Sequence, residues 1–238
     1  MEISVCPAIK KYFNFARNIF HFLSTTYPYV FNGVSTERKG KLVFPSPFPL
    51  KYVPLPAKKA VHMRKLKVTE LNRLTPEAFK ESKKIPLIVV LDHVRSLNNV
   101  GSVFRTSDAF RVEALYLCGI TACPPHAEIH KTALGAEETV EWVYFKDTSE
   151  AVDNLKQAGY TVCAIEQAEG SVMLDNLLVD KNQKYAVIFG NEVKGVQQTV
   201  VDTCDRCIEI PQYGTKHSLN VSVTAGIVIW DFFKQLTR

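Results

Sequence analysis

No stretch of this chain holds the roughly 18 continuous apolar residues that a membrane span needs. The most aromatic region, residues 12–31, is interrupted by Asn14, Arg17, Asn18 and His21, so it reads at most as a short amphipathic helix. The Gly-Lys-Ser/Thr ending of a P-loop and the GxGxxG dinucleotide fingerprint are also missing, which counts against nucleotide hydrolysis and hydride transfer. Of the cysteines at 6, 118, 123, 163, 204 and 207, only Cys204-Asp205-Arg206-Cys207 forms a CxxC, and no second pair accompanies it as a zinc site would require. No secretory signal is convincing, and Cys118 and Cys163 lie in apolar runs. The cysteines therefore read as reduced thiols of a cytoplasmic protein without a metal or a membrane partner. Internal repeats and low-complexity tracts are absent as well.

What is present fits one globular domain with an extension: 238 residues, 46% hydrophobic and 22% charged. The net charge of +5 is concentrated in front, because residues 1–62 hold nine Lys/Arg against two Asp/Glu. The same segment holds seven of the twelve prolines, including Pro45, Pro47, Pro49, Pro54 and Pro56, an order that suits an extended tether better than a helix. Residues 1–62 are accordingly expected to be a low-order extension. Met63 precedes the domain and suggests a simple origin for it, upstream sequence read through from a mis-set start.

Residues 63–85 are basic, with apolar residues at helical spacing and Thr75-Pro76-Glu77 as a helix start, so a basic helical lead-in is expected. From Pro86 onward short apolar runs alternate with helical segments. Strands are expected at 87–91, 114–118, 142–145, 160–165, 185–189 and 207–210. Helices are expected at 99–110, 126–134, 148–158, near 196–203 and from about 218 to 236. The pattern implies an α/β domain over 86–238, a mostly parallel sheet with helices on both faces. In such sheets ligands sit outside the carboxyl ends of the strands.

Three polar, glycine-containing segments follow strands there: Asn99 to Arg105, Gly190-Asn191-Glu192-Val193-Lys194-Gly195, and Ile210 to Val223. Each has a plain structural reading. The GxExxG segment alone is a turn in which backbone approaches something closely or takes positive φ. Ser218-Leu219-Asn220-Val221-Ser222 alone is a helix N-cap. Arg105 alone is a surface residue paired with Asp108, although an arginine at the mouth of a parallel sheet also suits phosphate or an oxyanion.

Together the three segments resemble the three motifs of the SpoU/TrmH-type RNA ribose methyltransferases of the SPOUT superfamily, in order and spacing, over about residues 86–236. Motif one is Asn99-x5-Arg105-Thr106-x-Asp108-Ala109, motif two Gly190-x-Glu192-x-x-Gly195, and motif three Ile210-Pro211-x-x-Gly214-x3-Ser218-Leu219-Asn220-Val221-Ser222. The resemblance implies methyl transfer from S-adenosylmethionine to a ribose 2′-hydroxyl, a homodimer, and a C-terminal trefoil knot in which the chain after Gly190 threads an earlier loop. It also implies that Gly190, Ile210 and Leu219 contact S-adenosylmethionine through backbone. Glu192, Ser218, Asn220 and Asn99 match the polar residues of the active site, and Arg105 matches the catalytic arginine.

A guanidinium with a pKa above about 12 is a poor general base. Arg105 is better suited to gripping the RNA phosphate beside the target ribose and stabilising the developing 2′-oxyanion. Gln212 departs from the methionine common in relatives, and His217 occupies a variable position. The Ile-Pro-Gln-Tyr-Gly form leans toward relatives that methylate a guanosine in the D-loop of transfer RNA, with ribosomal RNA as the alternative and a non-catalytic RNA-binding scaffold as the rival class. No second RNA-binding module is recognisable before residue 86. Arg64, Lys65, Lys67, Arg73, Lys83 and Lys84 are therefore the expected phosphate contacts.

Overall fold

The computed structural model describes residues 63–238, together with the two-residue strands Ser35–Thr36 and Leu42–Val43, which pair antiparallel. The remaining expectations for residues 1–62 lie outside the described residues. The unit Leu66–Arg238 carries the α/β domain.

Its strands are β1 (Ile85–Asp92), β2 (Val112–Cys118), β3 (Glu141–Phe145), β4 (Tyr160–Ile165), β5 (Val172–Met173), β6 (Lys184–Phe189) and β7 (Arg206–Glu209). Its helices are α1 (Pro76–Glu81), α2 (Leu97–Ala109), α3 (Ala127–Ala133), α4 (Ala136–Thr139), α5 (Thr148–Gln157), α6 (Gln198–Val201) and α7 (Val221–Thr237). The strands form one sheet in the order β3-β2-β1-β6-β4-β7-β5, and every neighbouring pair is parallel.

The two faces follow from the period of two along each strand. On β1, Leu87, Val89 and Leu91 face one core with Val100, Val103 and Phe104 of α2, Ile129 of α3, and Val228, Ile229 and Phe232 of α7. Ile88 and Val90 face the other, with Ala186 and Ile188 of β6, Ala151, Val152 and Leu155 of α5, and Val200 of α6. Helices thus cover both faces, as the unbroken apolar run of β1 requires. Each fully buried Leu, Val, Ile or Phe contributes about 1.5–3 kcal/mol against chain entropy.

Several elements differ from the sequence reading. The lead-in 63–85 is not a continuous helix: it holds a 3-10 turn at Val68–Glu70 and then α1, which Thr75 caps by accepting from the Ala78 amide. Leu66, Val68, Leu71 and Leu74 are exposed and Asn72 adopts φ +48°, so this stretch has no packed apolar face to hold a longer helix. The helix expected at 196–203 is only the four residues of α6, and the last helix begins at Val221 rather than 218. The exposed edge strand β5 and the single turn α4 were not anticipated.

Topology positions the site. β6 lies between β1 and β4, which brings the segment after Asp92 beside the segment after Phe189. β7 lies beyond β4, yet α7 packs on α2 and β1. Residues 210–220 must therefore travel back across the carboxyl ends of β4 and β6. Among the described residues no helix is long and apolar enough to cross a membrane.

Candidate active site

Those carboxyl ends enclose a cleft of about 530 Å³, within the roughly 300–1,000 Å³ usual for small-molecule sites. Its walls are the chain ends of β4, β6 and β7, the whole of Gly190 to Gly195, and the residues leading into α7. Gly190, Ile210, Leu219, Glu192, Ser218 and Asn220 all line it, so six of the eight site residues read from sequence meet in one place.

The loop after β6 is closed on itself. The Asn191 amide donates to the Gly195 carbonyl at 3.0 Å and the Gly195 amide returns to Asn191 at 2.9 Å. The Asn191 carboxamide oxygen accepts from the amides of Val193 (2.9 Å) and Lys194 (3.1 Å), while its nitrogen donates to the His93 carbonyl at 2.8 Å. A Cβ at Gly190 would sit 2.0 Å from the Gly195 carbonyl carbon and 2.1 Å from the Val196 nitrogen, so only glycine permits this closure. Gly195, at φ +69°, is tied twice over, because a Cβ there would meet the Glu166 carboxylate at 2.1 Å.

From this rigid loop Glu192 reaches across to the start of α2. Its carboxylate accepts from the amides of Arg95 (3.0 Å) and Ser96 (2.9 Å) and from the Asn99 carboxamide nitrogen (3.1 Å). Partial burial pushes the Glu192 carboxyl upward, but the Arg95 and Ser96 amides, with Asn99, outweigh it and hold it below the usual carboxylate range. A negative charge at a helix N-terminus also faces the positive end of the helix dipole. The Asn99 oxygen accepts from the Asn220 nitrogen at 3.2 Å, and the Asn220 oxygen caps α7 by accepting from the Ser222 and Val223 amides. One hydrogen-bonded line, Glu192 to Asn99 to Asn220, therefore joins the three motifs. The N-cap reading of motif three holds, and it leaves the site reading open, since the oxygen of the carboxamide caps α7 while its nitrogen reaches Asn99.

Arg105 is different. It is exposed, does not line the cleft, and stands about 9 Å further along α2 than Asn99 at the helical rise per residue. Nor does it pair with Asp108, whose carboxylate accepts from the Thr139 hydroxyl at 2.6 Å. Among the expected phosphate contacts, Lys84 is also placed otherwise. Its ammonium donates to the Phe79 carbonyl and, at 3.3 Å, to the Ser82 carbonyl, and lies 4.2 Å from the centre of the Phe79 ring. It closes the end of α1.

Sequence reasoning missed Glu166, the first residue past β4, whose oxygens accept from the amides of Gln167 (2.9 Å) and Val196 (3.0 Å) at the cleft wall. The carboxyl-end rule applied to the strand at 160–165 would have flagged it. It missed Gln167, whose side chain donates to the His217 carbonyl at 2.8 Å and ties the β4 end to motif three. It also missed the fully buried Asp92, which accepts from Thr148 (2.6 Å), the Gln197 amide (3.0 Å) and the Gln197 side chain (2.9 Å), with His93 Nδ1 at 2.8 Å. Burial pushes the Asp92 carboxyl up, yet these donors prevail and hold it below the usual range. Asp92 fixes the end of β1 from which the segment to α2 departs.

The family model described as the SpoU rRNA methylase family matches residues 86–230. Two curated relatives are the 23S rRNA (guanosine-2′-O-)-methyltransferases RlmB of Neisseria meningitidis and of Nitrosomonas europaea. The first is 31% identical over 63% of this chain and 59% of its own length; the second is 33% identical over 71% of this chain and 64% of its own length. The matched segment thus spans about three fifths of these relatives. Among solved structures, the A. aeolicus TrmH/SpoU tRNA modifying enzyme superposes with TM-score 0.59 at 28% identity, over 66% of this chain and 78% of that one. The AdoMet-bound rRNA methyltransferase from Sinorhizobium meliloti gives 0.60 at 25% identity, over 70% of this chain and 62% of that one.

Proposed function

The chain belongs to the SpoU rRNA methylase family, and from that membership we propose that it is an S-adenosylmethionine-dependent RNA ribose 2′-O-methyltransferase. The observation that carries the reading is the line Glu192–Asn99–Asn220, in which Asn99 at the start of α2 bridges two residues from the distant segments that wall the cleft.

The residues present fit the cofactor. The Gly190 closure leaves backbone, not side chain, at the cleft, and apolar walls come from Ile165, Phe189, Ile208 and Ile210. Among the described residues, the main chain of 211–219 makes one internal hydrogen bond, the His217 carbonyl with Gln167, so its other amides and carbonyls remain available. Gly190, Ile210 and Leu219 would hold the cofactor through such groups. Bound there, S-adenosylmethionine supplies an electrophilic methyl group for a ribose hydroxyl. Glu192 and Asn99 keep the two walls in register, and Ser218, which makes no internal hydrogen bond among the described residues, serves the substrate. Arg105 acts on the RNA side, gripping the phosphate beside the target ribose and stabilising charge that develops on the 2′-oxygen, while the hydroxyl proton passes to water.

Three finer readings belong with this one. The chain is a homodimer, for which the exposed stripe Val223, Ile227 and Trp230 on α7 speaks; α7 adjoins α2, so the pairing brings Arg105 toward the partner's RNA. The chain is knotted, for which the route of 166–183 speaks: it leaves β4, passes outside β7 as β5, is tied at Leu177 and Val179 to Gln235 of α7, and returns to β6. The target is a guanosine of transfer RNA, in the D-loop, modified in the cytoplasm. The names of the two curated relatives favour guanosine but make ribosomal RNA the second reading.

Mapping 2′-O-methylation across cellular RNA with and without the gene tests the assignment. Loss of one methylated guanosine in transfer RNA supports it in full, and loss of a ribosomal site moves it to the second reading. An unchanged map together with no calorimetric heat on adding S-adenosylmethionine leaves the scaffold class.

A further inference from the structure

We propose that Tyr213 is a stacking platform for an unpaired nucleobase of the RNA at the mouth of the cleft, a role that rests on the methyltransferase reading above. Tyr213 is 97% exposed, the most exposed large apolar side chain among the described residues, and makes neither a hydrogen bond nor a ring contact there. It contributes nothing to the fold, because an aromatic held in water forgoes the burial that stabilises its neighbours. The segment that carries it nonetheless borders the site. Gln212 before it and His217 and Ser218 after it line the cleft. The Gln167 clasp on the His217 carbonyl holds the far end of the segment against β4.

The surroundings suit RNA more than protein. Lys216 follows on the same segment and Lys194 lines the cleft, so two lysines share its mouth with the ring. Val193, next to Lys194, is also exposed, at 77%, giving a second apolar contact across the mouth. An aromatic face with cations beside it is how single-stranded RNA is held, the base on the ring and the phosphates on the charges. A target ribose reaches the cleft only when its nucleotide is splayed from its neighbours, and an unstacked base then needs a new face.

The test uses the full chain with a short single-stranded oligoribonucleotide carrying 2-aminopurine, whose fluorescence falls on stacking. Y213A is expected to weaken binding by about tenfold and to abolish the quench, the loss typical when a stacking ring is removed. Y213W and Y213F should keep both, and Y213L, apolar without a π face, should behave as Y213A. S-adenosylmethionine affinity by calorimetry and sedimentation should be the same in all four. Equal RNA binding and quench in Y213A overturn the platform while leaving the methyltransferase reading intact. So does a Y213A effect confined to cofactor affinity, or to self-association, which would make the ring a contact between copies of this chain. A parent protein that binds no RNA defeats the underlying reading as well.

Discussion

Replacing Gly190 with alanine adds one methyl group at the place where the motif-two loop closes. The new Cβ would lie 2.0, 2.1 and 2.4 Å from the Gly195 carbonyl carbon, the Val196 nitrogen and the Gly195 oxygen. All three are backbone atoms, so no side chain can rotate away. Relief requires the loop to open, breaking the reciprocal Asn191–Gly195 hydrogen bonds of 3.0 and 2.9 Å. Overpacking strain and the two lost bonds together cost about 2–6 kcal/mol. Each kcal/mol moves Tm by about 2–4 °C in a domain of this size. Gly214→Ala is the matched control, because a Cβ there meets nothing within 4 Å. Thermal unfolding followed by calorimetric titration with S-adenosylmethionine should show Gly190→Ala melting several degrees lower and binding at least tenfold more weakly, with Gly214→Ala near the parent in both. A Gly190→Ala protein that melts and binds like the parent would refute the claim that backbone closure shapes the cofactor cleft.

Glu192 has a depressed folded-state pKa, so its contribution to stability is full above its unfolded value, near 4.3, and is lost as pH falls through the folded value. Glu192→Gln should therefore flatten the acid limb of a stability-against-pH curve measured by denaturant unfolding, with little change at neutral pH in the slope. Arg105→Lys keeps the charge but loses the planar fork, and methyl transfer should drop by about tenfold or more with S-adenosylmethionine affinity unchanged; full activity would count against phosphate gripping. Ile227→Glu places a charge in the exposed stripe of α7 and should shift sedimentation from dimer to monomer while leaving the melting of the monomer fold intact.

The fold was legible wherever burial was two-sided. β1, β4 and β6 are continuous apolar runs because helices cover both faces of the sheet, and their bounds fall within two residues of the reading. The failures share one cause, the absence of a packed face. β5 is two exposed residues held by pairing to β7, α4 is a single turn, and the lead-in leaves Leu66, Val68, Leu71 and Leu74 in solvent. At the site, no motif was decisive alone, because Asn220 is a genuine helix cap and Gly190 a genuine tight closure. Only their convergence gives the second role. Glu166 and Asp92 escaped because a single acid after a strand carries no motif, although both stand where the carboxyl-end rule points. Arg105 was the reverse case: its motif is intact, but helical rise carries it away from the cleft, and the role proposed for it is accordingly on the RNA side.

The most direct measurement incubates the purified chain with methyl-labelled S-adenosylmethionine and unmodified transfer and ribosomal RNA, then digests the RNA to nucleosides and locates the label. The account predicts label on the ribose 2′-oxygen of one guanosine, lost in Arg105→Ala and in Gly190→Ala. Label on a base, or none on any RNA while the cofactor still binds, would contradict it.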